Sequence, residues 1–153
     1  MPGLLAAMLV LGEVVTPVPG LVFETTRPYG FIEIRWHGRQ LFPPPGGIDP
    51  NVDHIAAGHS NWLRLVGEWN AEGLHRWVFS ASGIDDCNSY GVWVLDVRDG
   101  HATMRRIVRS CIFFGVEILS WKPRARVLVT TNVYDPSVYG SFRPLRLAFD
   151  LDP

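Results

Sequence analysis

The stretch LHRWVFSASGIDDCNSYGVWVLDVRDGHATMRRIV, residues 74–108, decides the fold. Two apolar segments flank a polar loop that carries Cys87, and Asp99-Gly100 then separates Val92–Val97 from Met104–Val108. An Asp-Gly pair between β-prone segments specifies a two-residue hairpin turn, because both turn positions need positive φ, which glycine adopts without steric cost. The stretch therefore predicts consecutive antiparallel strands interrupted by one chemically rich excursion, Gly83–Gly91.

The same pattern continues outward. Leu63, Leu65 and Trp69 are expected to pair against Trp77 and Phe79 across the Asn70–Gly73 turn. Upstream, Thr16-Pro-Val-Pro-Gly20 is a turn that leads into a strand at Leu21–Thr25, with Gly20 suited to positive φ. Phe31–Trp36 alternates, with Ile32, Ile34 and Trp36 on one face and Glu33 and Arg35 on the other, and His37-Gly38 returns it into Arg39–Phe42. The run Pro43–Gly47 ends that hairpin, since proline offers no ladder donor. Asp49-Pro50 resembles a capped helix start, so Pro50–Ala57 is the one short helix expected, closed by Gly58.

Downstream, Ile112–Trp121, Arg126–Val133 and the alternating Leu145, Leu147, Phe149 and Leu151 read as three further strands, with a loop at Asp135–Phe142. Evenly spaced short strands with turn chemistry between them predict an all-β chain of antiparallel sheets, propeller-like or sandwich-like. GVWVLDVRDG and ILSWKPRARVLVTTN look like consecutive strands of a propeller blade, but the chain is too short for a closed propeller. We expect a single β domain over residues 1–153.

Composition removes several function classes. The formal net charge is −1 and the thirteen arginines are scattered among carboxylates, so no basic stripe is available to neutralise phosphates, and nucleic acid is not an expected partner. Lys122 is the only lysine, an arginine bias expected of a GC-rich bacterial genome. Six tryptophans supply large buried areas, and core packing is the ordinary role for each. No segment reaches the length of a membrane span. Residues 1–20 are read either as an export-signal remnant or as an N-terminal strand, because Leu4–Leu11 is apolar but is preceded by no Lys or Arg.

Cys87 and Cys111 are an even pair. A bond between them would stabilise the fold by roughly 3 kcal/mol and would indicate an oxidising compartment such as the periplasm. Two buried free thiols are the alternative.

The catalytic readings are poorly supported. As a nucleophile with a histidine base, Cys87 follows Asp85 and Asp86, whose charge opposes thiolate formation. Asp49, Asn51 and Asp53 imitate a calcium loop, yet Pro50 interrupts it, His54 replaces the turn glycine and Ser60 replaces the closing glutamate. His37, His54, His59, His75 and His101 lack zinc-site spacing. There is no Gly-x-Ser-x-Gly elbow and no Gly-rich phosphate loop with lysine. Asp85, Asp86 and Glu117 are carboxylates available for glycosidase chemistry, but sequence does not give their separation. We expect no enzyme, no metal and no cofactor.

The remaining candidate is the loop Gly83–Gly91, which offers Asp85, Asp86, Asn88, Ser89 and Tyr90. Bonded to Cys111, Cys87 would fix this loop beside Arg109 and Ser110 as one pre-ordered surface, which lowers the entropy lost on binding. A solvated turn with locally capped amides is the plainer reading. A carbohydrate- or peptide-binding periplasmic module using Trp62, Tyr134 or Tyr139 is a rival from another class.

Through its propeller-like strands, its paired cysteines and the DDCNSYG loop, the chain from about Leu21 onward resembles the periplasmic immunity proteins of type VI secretion that neutralise peptidoglycan-cleaving cysteine amidases. The resemblance implies a protein that fills the substrate groove of a papain-like amidase. Ser89 or Ser110 would then approach the catalytic imidazole, and Asp85, Asp86, Asn88 and Tyr90 would line the groove mouth.

Overall fold

The computed structural model describes residues 12–26, 30–45, 62–82, 91–109, 113–135, 137 and 141–152. These form eleven strands: β1 (Gly12–Val15), β2 (Leu21–Thr26), β3 (Gly30–Trp36), β4 (Arg39–Phe42), β5 (Trp62–Ala71), β6 (Leu74–Ser82), β7 (Gly91–Arg98), β8 (His101–Arg109), β9 (Phe113–Ser120), β10 (Arg126–Asp135) and β11 (Ser141–Asp150). The all-β, antiparallel class expected from sequence is what these residues adopt, with no helix among them. The segment Pro50–Ala57 and the apolar Leu4–Leu11 lie outside the described residues.

An eight-stranded sheet runs β1-β2-β3-β5-β6-β7-β8, with β4 also paired to β3, and a three-stranded sheet runs β11-β10-β9. Three hairpins of the larger sheet close through two-residue turns, His37-Gly38 (φ 46° and 77°), Glu72-Gly73 (56° and 75°) and Asp99-Gly100 (51° and 73°). Positive φ at both positions gives the turn whose twist matches that of the flanking strands, which is why glycine occupies the second place each time.

Strands β6 and β7 are central and are buried on both faces. Trp77, Phe79, Ala81, Trp93, Leu95 and Val97 point into one core with Leu21, Phe23, Phe31, Ile34, Phe42 and Leu63. Val78, Val92 and Val94 point the other way, into a second core with Val108, Ala125, Val127, Val129 and Leu151. The unbroken apolar run at Val92–Leu95 is therefore the signature of a strand covered on both sides. The larger sheet curls around the first core far enough to set the Phe42 ring 5.2 Å from that of Trp93. The smaller sheet covers the second core. Each fully buried Phe or Leu contributes about 1.5–3 kcal/mol relative to exposure.

Single-residue bulges revise two readings from sequence. Between Glu24↔Glu33 and Thr25↔Phe31 the third strand carries one extra residue, so Phe31 and Ile34, three apart, both enter the first core. A bulge between Leu65 and Gly67 shifts the fifth strand, so that Leu65 stays opposite Phe79 but Trp69 lies opposite Arg76, not Trp77. One inserted residue reverses every side chain beyond it, because strand side chains alternate with period two. Gly67 sits at this bulge, where a Cβ would lie 2.8 Å from Ile118 Cγ1 and 3.2 Å from Trp121 Cζ2, so its missing side chain permits the close approach of the two sheets.

The last strand also differs in environment. Leu147 pairs with Val129 and Phe149 with Val127, but β11 is an edge strand and Leu147 is 41% exposed. Leu151 lies beyond the strand and is fully buried. GVWVLDVRDG and ILSWKPRARVLVTTN fall in different sheets rather than in one blade. No helix among the described residues is long and apolar enough to cross a membrane.

Candidate functional site

The two ends of the larger sheet differ in construction. At one end the tight turns Glu72-Gly73 and Asp99-Gly100 close the central hairpins. At the other, β6 stops at Ser82, β7 begins at Gly91 and β8 stops at Arg109.

Of the residues expected to bind a partner, Asp85, Asp86, Asn88, Ser89, Tyr90 and Ser110 lie outside the described residues, as do Cys87 and Cys111. Their anchor points are described. Gly91 pairs with Ala81 on one side and with Arg109 on the other, so both segments start from neighbouring rungs of one ladder. Gly91 has φ 147°, and a Cβ there would stand 1.9 Å from the Val108 carbonyl oxygen, so only glycine fits this return point.

At the turn end a second feature emerges that sequence reading did not single out. The bulge before Gly67 turns Trp69 onto the face that meets the smaller sheet, where its ring stacks on Trp121 at 5.7 Å and 24°. Beside them Arg76, a buried charge, is held by Asp96 through Nε–Oδ1 at 2.6 Å and Nη2–Oδ2 at 2.8 Å, and by Asp152 through Nη1–Oδ1 at 2.9 Å. The Asp96 hydrogen bonds outweigh desolvation and raise the guanidinium pKa above its already high ordinary value, so Arg76 stays charged. Lys122 Nζ donates to Glu72 Oε2 at 2.6 Å, which holds the Glu72 carboxyl below the usual range. Together with Arg98 these groups enclose a cleft of ≈ 100 Å³.

Two of the three histidines within the described residues, His75 and His37, have structural contacts. His75 stacks on Trp77 at 4.0 Å and 8° and lies 2.8 Å from Glu68 Oε1. The His37 ring meets Trp36 edge-on at 4.3 Å. Glu117 is exposed and paired with Arg146 at 3.3 Å. Among the described residues no group of three or more His, Cys, Asp or Glu is placed to hold a metal ion. His54, His59, Asp49, Asn51 and Asp53 lie outside them, as does Tyr139, and Trp62, Arg109 and Tyr134 are described by backbone alone.

Comparison with protein families, with curated protein sequences and with solved structures gives no match for this chain.

Proposed function

We propose that this chain is a non-enzymatic binding protein that docks through the loop end of its larger sheet. In the form the resemblance implies, it is a periplasmic immunity protein that occludes the active-site groove of a papain-like, peptidoglycan-cleaving amidase toxin and so protects the producing cell. The observation that supports this reading is the Gly91↔Arg109 pairing, which starts the Asp85–Tyr90 segment and the Ser110–Cys111 segment from adjacent strands. Loops carried on a doubly buried sheet are held by a rigid support, and rigid support lowers the ordering cost of docking.

The test uses the full chain, purified without reductant, as bait for the periplasmic and secreted fractions of the producing bacterium. A cell-wall amidase recovered at one-to-one stoichiometry is the expected result. Ser89→Arg should then weaken the complex at least about a hundredfold, as bulk and charge placed at the centre of a contact do, while the thermal transition is unchanged. Recovery of cell-wall fragments without a protein partner, or full binding by folded Ser89→Arg, would overturn the proposal.

A further inference from the structure

The last strand, β11, is an edge of the smaller sheet, and two observations fix which of its backbone groups face outward. Its ladder with β10 runs without a break from Arg126↔Asp150 to Asp135↔Ser141, and in the same register the Leu151 N–H donates to the Ala125 carbonyl at 2.8 Å. Opposed residues of an antiparallel pair alternate between bonded and unbonded, so Phe149 and Leu147 bond to β10 whereas Asp150, Ala148, Arg146 and Pro144 turn their backbone groups away from it. Pro144 agrees, because a residue without an N–H fits a ladder only where that donor would point outward. Arg146, Ala148 and Asp150 are exposed, and so is the apolar Leu147, at 41%.

An unpaired edge is a template for another strand, and β11 is complementary to itself. A two-fold axis normal to the sheet lays a second β11 antiparallel beside the first with the same faces up, so a residue meets one an even number of places along. Centred on Arg146, this axis sets like charges opposite each other, and centred on Leu147 it sets Pro144, which lacks the donor, opposite Asp150. Centred on Ala148, it brings together the smallest side chain of the strand and sets Arg146 of each copy opposite Asp150 of the other. These are the residues whose backbone groups face outward, so each such pair exchanges both N–H···O bonds. The charges on that face extend the match: Asp150 lies 3.0 Å from Arg126 and Arg146 lies 3.3 Å from Glu117, so Glu117, Arg146, Asp150 and Arg126 alternate in sign across the axis. On the opposite face Leu147 lies against Phe149 of the second copy.

We propose that β11 is a self-association edge, through which two copies of this chain join their smaller sheets into one, antiparallel about Ala148. Pro144 keeps the first half of the edge out of the ladder, so the contact is confined to residues 146–150 of each copy. So short a contact belongs to the weak, transient class, with a dissociation constant on the order of 100 µM. None of these residues belongs to the loop end of the larger sheet, so the dimer does not depend on the function proposed above.

The test is sedimentation equilibrium of the full chain between about 10 µM and about 1 mM, where the wild type should pass from monomer to dimer. Arg146→Asp and Asp150→Arg alter exposed side chains in surface ion pairs, so both variants keep the fold. Each alone sets like charges opposite each other at two places and should weaken self-association at least about tenfold. An equal mixture of the two restores opposite charges at both places and should associate as the wild type does. Ala148→Pro removes an outward donor without breaking the β10 ladder and should also weaken the dimer at least about tenfold. A wild type that stays monomeric at about 1 mM, a dimer that the single charge variants leave unchanged, or a mixture that associates no better than either variant alone would each overturn the proposal.

Discussion

Arg76 and Asp96 stand directly opposite each other on β6 and β7 and form a two-point ion pair, with contacts of 2.6 and 2.8 Å, at the edge of the second core. The side chains are 5% and 18% exposed, so each is costly without the other. Removing Arg76 leaves Asp96 with only the longer 3.7 Å contact to Arg105, whereas removing both leaves only the more exposed Arg105 and Asp152. Arg76→Met should therefore lose about 3–5 kcal/mol of unfolding free energy, and Arg76→Met combined with Asp96→Leu should regain most of it. Urea unfolding of the wild type and the two variants measures this, and a double variant no more stable than Arg76→Met would refute it.

Gly91 and Gly100 both have positive φ but differ in what surrounds the missing side chain. Around Gly100 nothing lies within 4 Å of a built Cβ, whereas at Gly91 the Val108 carbonyl oxygen lies 1.9 Å away. Gly100→Ala should cost about 1 kcal/mol, the conformational penalty alone. Gly91→Ala should cost about 3 kcal/mol, because relief requires moving a backbone carbonyl in the β7–β8 ladder. Comparable losses for the two variants would contradict the close approach at Gly91.

Much of the fold was legible in short-range chemistry. The turns at His37-Gly38, Glu72-Gly73 and Asp99-Gly100 are encoded by their own residues, and the run Val92–Leu95 records burial on both faces of its strand. The bulges were not legible, since nothing in Ile32 or Val66 announces that one residue is to be left out of register. That omission hid the cleft, because without the bulge Trp69 belongs to the opposite face. A signal for part of it was present: Arg76 is the one arginine of β6 and Asp96 the one carboxylate of β7, and a register pairing Ala81 with Gly91 brings them face to face. Of the proposed partner surface, only the anchors Gly91 and Arg109 are among the described residues, where the ladder fixes the backbone.

Lys122 and Glu72 tie the turn after β9 to the β5–β6 turn through one exposed ion pair. The hydrogen bond from Lys122, followed by its charge, lowers the Glu72 pKa. A carboxyl with a depressed folded value contributes stability above its unfolded pKa and loses it as pH falls through the folded one. The NMR titration of Glu72 should thus fall below that of an ordinary glutamate at low salt and move upward in Lys122→Met or at high salt. An unchanged midpoint in Lys122→Met would show that the pair does not persist in solution.

Leu151 joins the two sheets although it belongs to no strand. Its side chain is fully buried in the second core, its N–H donates to the Ala125 carbonyl at 2.8 Å, and Arg105 Nη2 donates to its carbonyl oxygen. The next residue, Asp152, reaches Arg76, so two successive residues pin the end of β11 to the central strands of the larger sheet. Backbone bonds survive a change of side chain, but burial does not. Leu151→Ala should therefore cost about 2–4 kcal/mol with an unchanged denaturant slope, as a cavity in a well-packed core does. Asp152→Asn removes an exposed carboxylate and should cost less than about 1 kcal/mol. If the order of the two losses were reversed, the tail would be held by its charge rather than by Leu151, and the second core would not extend to the end of β11.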